Sequence, residues 1–240
     1  MRPEWSEFSD AVHDGGGQWM TEVYHYAGAF FAFLASRCKV TPNQLTLASG
    51  LLVILAMVLM LELGLGSWIA AIGVLVLMVV SYALDCADGQ LARATGQCSK
   101  YGTWLDHVVD AGKIFVVHGS IGWMLLNASI AHGFPASWCF LGMFLNMAGS
   151  ALYFFAWNYK VMIAGQGLIV RLANERSQSR VRMFQFSQQI TDYGWFPLLF
   201  ILLIDPQKFA LAYFLYGAGT FVIFMAYIVV SACYMTKLTD

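Results

Sequence analysis

The chain has 240 residues, 59% of them apolar and 11% charged, whereas an ordinary soluble domain is roughly 45–50% apolar and about 25% charged. Thirteen Lys and Arg against fourteen Asp and Glu leave a formal charge of -1. That balance excludes a global basic field for nucleic acid, and the apolar content excludes disorder. Long unbroken apolar runs indicate membrane-spanning helices rather than the short alternating segments of a β-barrel, and at ~20 residues per span the length allows roughly six.

Taken in chain order, the first 18 residues are polar and Gly-containing, without the basic and apolar stretches of an export signal. Residues 18–37 are apolar over much of the helical circumference yet carry Glu22, His25 and a basic exit at Arg37 and Lys39, the pattern of an interfacial helix. Thr41-Pro42-Asn43 then makes a helix start, with Thr as cap and Pro in the first turn. Spanning runs follow at 44–62, 67–84 extending to about 93, 103–131, 135–158, 194–204 and 209–235. The expected fold is therefore all-α and polytopic: six transmembrane helices preceded by an N-terminal interfacial amphipathic helix. We divide it into residues 1–40, the polar segment and interfacial helix, and residues 41–240, a six-helix membrane domain.

With both termini cytoplasmic, eleven of the thirteen basic residues fall inside, while Lys208 falls outside and Lys113 lies within a span. The longest inside loop, 160–190, holds Arg171, Arg176, Arg180 and Arg182 interleaved with apolar residues and is expected to lie along the membrane surface. The five cysteines, Cys38, Cys86, Cys98, Cys139 and Cys233, form no CxxC pair and mostly adjoin apolar runs, which favours free buried thiols over disulfides or zinc.

An ionised side chain within the bilayer costs at least ~2.5–3.5 kcal/mol on insertion scales, so intramembrane carboxylates are functional suspects. Four of the fourteen acids lie in DCADGQLARATGQCSKYGTWLDHVVD, as Asp85, Asp88, Asp106 and Asp110. At ~100° per residue, Asp85, Asp88, Gly89 and Ala92 share one face at the end of span two. Gly102, Asp106 and Asp110 form a stripe at i, i+4, i+8 on span three, and a short turn lets the stripes face each other. Four converging carboxylates must bind protons or cations. Hard oxygen ligands favour Mg²⁺, Mn²⁺ or Ca²⁺ over zinc, and four Asp suit a pair of ions. Gly89, Ala92 and Gly102 remove bulk beside them, and Arg93 supplies a fork for phosphate oxygens. Together these features describe a pyrophosphate site. An ion or proton pathway, or helix-stitching ion pairs involving Lys113, would account for the acids but not for the small residues between them.

Asp85-x2-Asp88-Gly89-x2-Ala92-Arg93-x8-Gly102-x3-Asp106-x3-Asp110 resembles the signature of the CDP-alcohol phosphotransferase family at every fixed position, eight residues over 26 positions. The six-span layout with a preceding interfacial helix is similar to that family too. The resemblance implies attack of an acceptor hydroxyl on the β-phosphorus of a CDP-alcohol with release of CMP, Mg²⁺ or Mn²⁺ as cofactor with two ions, and a homodimer. It implies Asp85, Asp88 and Asp106 as main metal ligands, and Asp110 as the base, also touching the second ion. Gly89, Ala92, Arg93 and Gly102 would line the nucleotide-pyrophosphate pocket. A compact chain of this size favours CDP-diacylglycerol as donor and a small polar acceptor. Asp106-His107-x2-Asp110 pulls instead toward the choline/ethanolamine branch, which uses diacylglycerol as acceptor. An ion transporter using the same acids, and a prenyltransferase with metal-bound pyrophosphate, are readings from outside the family.

Other residues carry two readings each. Asn43 and Thr46 resemble the family's cytidine-holding Pro-Asn-x-x-Thr start, and simple capping also explains them. Ser99 stands where relatives have a hydroxyl near the nucleotide, or is a turn Ser. His107 is a second candidate base or a packing residue. His118 reads as a core histidine. Lys113 pairs with the acids or contacts a polar acceptor. Arg171, Arg176 and Arg180 bind an acceptor phosphate or anionic lipid heads. Tyr153, Phe154, Phe155, Trp157 and Tyr159 read as an interfacial aromatic belt rather than a cage for quaternary ammonium.

Overall fold

The protein is described from a computed structural model, which covers residues 4, 5, 8, 19–174 and 193–236. Among these residues it is all-helical: α1 (Trp19–Arg37), α2 (Pro42–Leu63), α3 (Trp68–Thr95), α4 (Lys100–His132), α5 (Ala136–Asn174), a 3₁₀ segment (Tyr193–Ile204) and α6 (Pro206–Thr236). Five helices are long and apolar enough to cross a membrane: α2, α3, α4, α5 through its Ala136–Ala156 part, and α6 through Pro206–Val229.

Local chemistry sets these boundaries. Thr41 caps α2 in a full capping box: its hydroxyl accepts from the Gln44 N–H at 3.4 Å, and its own N–H donates to Gln44 Oε1 at 2.9 Å. Pro42 follows in the first turn, where a missing N–H leaves nothing unsatisfied. Ser67 and Ser99 cap α3 and α4 through their hydroxyls. Gly96 ends α3 in the left-handed region (φ 67°), a conformation that a Cβ disfavours, and lets the chain reverse within four residues into α4.

Two expected elements differ. The apolar run 194–204 is a 3₁₀ helix with Pro197 inside it, not an α-helix of spanning length. Pro197 has no N–H to give to an α-helical ladder, and the ~2.0 Å rise of a 3₁₀ helix carries twelve residues about 24 Å. Residues 160–174, expected to be loop, are helical instead, since α5 runs on to Asn174 and carries Arg171. Two thiols expected to be buried, Cys38 and Cys98, are exposed, since they sit at the α1–α2 and α3–α4 turns; Cys139 is buried.

Helix α3 packs on α2 and α1, α4 bridges α2 to α5, and α5 pairs with α6; the 3₁₀ segment fits between α3 and α6. The larger core joins Met57, Met60, Val74, Ile121, Leu125, Phe196, Phe200, Phe209 and Tyr213 from five elements. A smaller one joins Ala29, Ala32, Leu45, Ala87 and Leu91 with Phe8. At one end of the bundle the Gly66 N–H donates to the Leu203 carbonyl at 2.7 Å, and Gln207 Nε2 donates to the His132 carbonyl at 2.9 Å. The α3–α4 turn and the acids lie at the opposite end.

α1 approaches α3 closely at Gly28. A Cβ on Gly28 would stand 2.9 Å from Cys86 Cβ and 3.1 Å from the Ala83 carbonyl oxygen and the Ala87 nitrogen, and backbone atoms cannot yield as a flexible side chain can. Nearby, Gln90 Nε2 donates to the His25 carbonyl at 2.9 Å. Gly28→Val should therefore lower the midpoint of thermal unfolding in detergent, with overpacking on the order of 1–3 kcal/mol. Gly119→Ala, where the added methyl meets nothing within 4 Å, should leave the midpoint unchanged or raise it, because Ala is the better helix former.

Candidate active site

α3 and α4 are 28 and 33 residues long, while about 20 residues cross the hydrocarbon. Their surplus turns project past the apolar stretch, and that surplus holds the acids. Asp85, Asp88 and Asp106 each offer a carboxylate oxygen, and the three atoms lie within 4.8 Å of one another. Asp88 is buried and accepts from the Thr46 hydroxyl on α2. Asp85 accepts from Lys113 Nζ and, more weakly, from the Ser49 hydroxyl at 3.5 Å. Asp110 receives the same Lys113 ammonium at 3.0 Å.

The donor set suits a hard divalent ion. All three converging ligands are carboxylates, with neither sulfur nor imidazole among them. Oxygens on opposite sides of an ion with ~2.1 Å bonds stand about 4.2 Å apart, so shifts of a few tenths of an ångström would bring this cluster to coordination distance. Thr46 donates to Asp88 and Ser49 to Asp85, the supporting role that hydrogen bonds to ligating carboxylates perform.

The small residues of the motif leave room that other side chains fill. A Cβ on Gly89 would come within 3.1 Å of Arg93 Nη1, so the guanidinium folds back over that glycine toward the acids. A Cβ on Gly102 would meet Asn43 Oδ1 at 3.2 Å and Ser99 Oγ at 3.1 Å. Asn43 on α2 thus reaches the start of α4, and Asn43, Ser99 and Gly102 share one corner of the site. Ser99 also has a definite structural task, since its hydroxyl accepts the Gly102 N–H at 2.9 Å. Ala92 sits one turn from Asp88 on α3 and is half-buried.

His107 is held on both ring nitrogens. Nδ1 lies 2.7 Å from the Thr103 carbonyl, and Nε2 lies 2.6 Å from Asn158 Oδ1, whose amide is oriented by Asn158 Nδ2 donating to the Phe154 carbonyl at 2.9 Å. Both ring nitrogens are thus engaged by neighbours within the protein. His118 is fully buried and lies 3.2 Å from the Tyr213 hydroxyl, far along α4 from the acids.

On the side away from the α3–α4 turn, the acids open into a cavity of about 270 Å³. Asp85, Asp110 and Lys113 form its polar edge, and Met78, Val117, Tyr153, Phe154 and Phe224 are among its apolar walls. Tyr153 and Phe154 therefore face this space within the bundle, with Tyr153 stacked on Phe224 at 4.5 Å between ring centroids. Arg171 lies on α5, and Arg176 and Arg180 lie outside the described residues.

Sequence spacing alone did not single out Ser49 and Ser81. Ser49 follows Asn43 and Thr46 at intervals of three, and Ser81 stands four before Asp85, so helical stripes contained the signal. Ser81 donates to the Ser49 carbonyl at 2.9 Å, linking α3 to α2 directly behind Asp85.

Known proteins match this chain most clearly in name through inositol phosphate synthases. The phosphatidylinositol phosphate synthase of Corynebacterium glutamicum is 37% identical over 95 residues, 40% of this chain and 41% of that protein. The archaetidylinositol phosphate synthase of Pyrococcus horikoshii is 44% identical over 71 residues, 30% of this chain and 35% of that protein. A bifunctional IPC transferase and DIPP synthase of Aquifex aeolicus is 30% identical over 172 residues, 69% of this chain and 36% of that protein. Each match spans less than half of the relative's own length. The model of the CDP-alcohol phosphatidyltransferase family matches residues 39–236, which include α2 to α6 and all four acids, and the chain belongs to that family.

Proposed function

We propose that this protein is a metal-dependent CDP-alcohol phosphotransferase of phospholipid synthesis, moving a phosphatidyl group from CDP-diacylglycerol to the hydroxyl of a small polar acceptor with release of CMP. The observation that carries this reading is the convergence of Asp85, Asp88 and Asp106 oxygens within 4.8 Å, beside a guanidinium folded over Gly89. Family membership supports it over an ion transporter or a prenyltransferase. The inositol phosphate products in two relatives' names favour a phosphorylated polyol acceptor over the choline/ethanolamine type.

Mg²⁺ or Mn²⁺ would be held by Asp85, Asp88 and Asp106, with a second ion sharing Asp110. Bound there, the metal would supply charge neutralisation at the pyrophosphate oxygens. Thr46 and Ser49 hold the Asp88 and Asp85 carboxylates in place. Arg93 offers paired N–H donors to phosphate oxygens, and Asn43 with Thr46, Ser99, Gly89, Ala92 and Gly102 lines the nucleotide side. The apolar cavity accepts hydrocarbon of the donor next to the reacting phosphate.

Asp110, at the cavity edge, takes the proton of the acceptor hydroxyl. As that oxygen bonds to the β-phosphorus, the bond from phosphorus to the bridging oxygen breaks, and CMP leaves with the electron pair. Arg171, Arg176 and Arg180 hold the acceptor's phosphate at the cytoplasmic surface. In the membrane, the 3₁₀ segment serves as the sixth crossing and α1 lies at the interface, so residues 1–40 precede a six-span domain at 41–240. Both termini face the cytoplasm, and two copies form a homodimer.

CMP release from CDP-diacylglycerol, assayed with purified protein and a panel of alcohols, tests the assignment. Asp110→Asn should lose about 10²–10⁴-fold in turnover, the usual contribution of a general base, whereas His107→Gln should stay within about tenfold of the parent. EDTA should abolish release and added Mg²⁺ or Mn²⁺ restore it. Thr46→Val should cost on the order of 10–100-fold through a loosened Asp88. Arg176→Gln and Arg180→Gln should raise KM for a phosphorylated acceptor with little change for its unphosphorylated analogue.

A further inference from the structure

The Lys113 ammonium bridges Asp85, one of the three clustered carboxylates, and Asp110, the carboxylate assigned above to a second divalent ion. We propose that Lys113 stands in for that second ion. The protein without nucleotide then binds one divalent ion tightly, at Asp85, Asp88 and Asp106, and takes a second only when Lys113 is displaced. This inference rests on the metal reading of the site.

Three observations carry it. The close set of carboxylate oxygens comprises Asp85, Asp88 and Asp106, without Asp110. Asp110 is turned to Lys113, one helical turn ahead on α4, at 3.0 Å. The Lys113 side chain is only 17% exposed, so water screens its attraction to the two carboxylates weakly. Charge fits the same count: four carboxylates are balanced by one divalent ion, Lys113 and Arg93. A second ion would put two positive charges in excess, a surplus that the donor's pyrophosphate would neutralise. Lys113 is thus a positioning residue. It keeps Asp110 oriented at the cavity edge and ties entry of the second ion to arrival of the donor.

Titration with Mn²⁺ alone, followed by the electron paramagnetic resonance signal of the free ion, tests this on purified full-length protein. Wild type should show one tight site. Lys113→Gln should show a second, tightened by about tenfold or more, since a unit charge in contact with two ligands has been removed. Lys113→Arg, which keeps the charge, should stay at one. Two tight sites of similar affinity in wild type would overturn the proposal, and this measurement needs no variant. A single site in folded Lys113→Gln would also overturn it. Absence of any tight site in all three proteins would instead overturn the metal reading, and the proposal with it.

Discussion

Four carboxylates brought together at the end of two membrane helices repel one another, and Asp88 among them is buried away from water. Most of the local structure follows from holding them there. Thr46 donates to Asp88, Ser49 to Asp85, and Lys113 to both Asp85 and Asp110. Arg93 folds over Gly89. The helices that carry the acids are longer than a bilayer requires, and the acids lie in the turns beyond their most apolar stretches. The short turn closed by Gly96 and Ser99 joins α3 to α4, and the two helices pack on α2 rather than on each other, so the two sets of acids meet across the site that α2 backs.

Support for the site extends outward through α2. Its start is fixed by the Thr41 capping box, and that register sets Asn43, Thr46 and Ser49 toward the acids at successive turns. Ser81 ties α3 to the α2 backbone behind Asp85. α1 closes the outer face of α3 through Gly28, where backbone and Cβ atoms approach too closely for any other residue without displacement. The half of the bundle formed by α5 and α6 does different work: with the 3₁₀ segment it walls the apolar cavity that begins at Asp85 and Asp110. The charged cluster and the apolar cavity thereby adjoin at Asp85 and Asp110.

The acids, their spacing and the glycines beside them were legible in the sequence because i, i+3 and i, i+4 intervals fix which residues share a helix face. The Thr41-Pro42 start was legible for a similar reason, since capping is decided within four residues. Lys113 could be placed on the acid stripe by angle, but its cross-helix bond to Asp85 depends on how α3 meets α4, which spacing does not specify. Ser49 and Ser81 are unremarkable in a run of apolar residues until the neighbouring helix brings a carboxylate or a carbonyl to them. The 3₁₀ geometry of Tyr193–Ile204 reflects Pro197 and packing between α3 and α6, and hydropathy registers only that the stretch is apolar. Composition likewise did not foretell that α5 continues through Arg171.

The proposed reaction requires the carboxylate cluster to hold a divalent ion against the pyrophosphate of a CDP-alcohol. Phosphorus-31 electron–nuclear double resonance on the Mn²⁺-loaded protein with CDP-diacylglycerol measures that contact directly. A phosphorus coupling characteristic of phosphate oxygen bound to the metal is expected, lost in Asp88→Asn. Mn²⁺ bound at the cluster with no phosphorus coupling at saturating donor would contradict it.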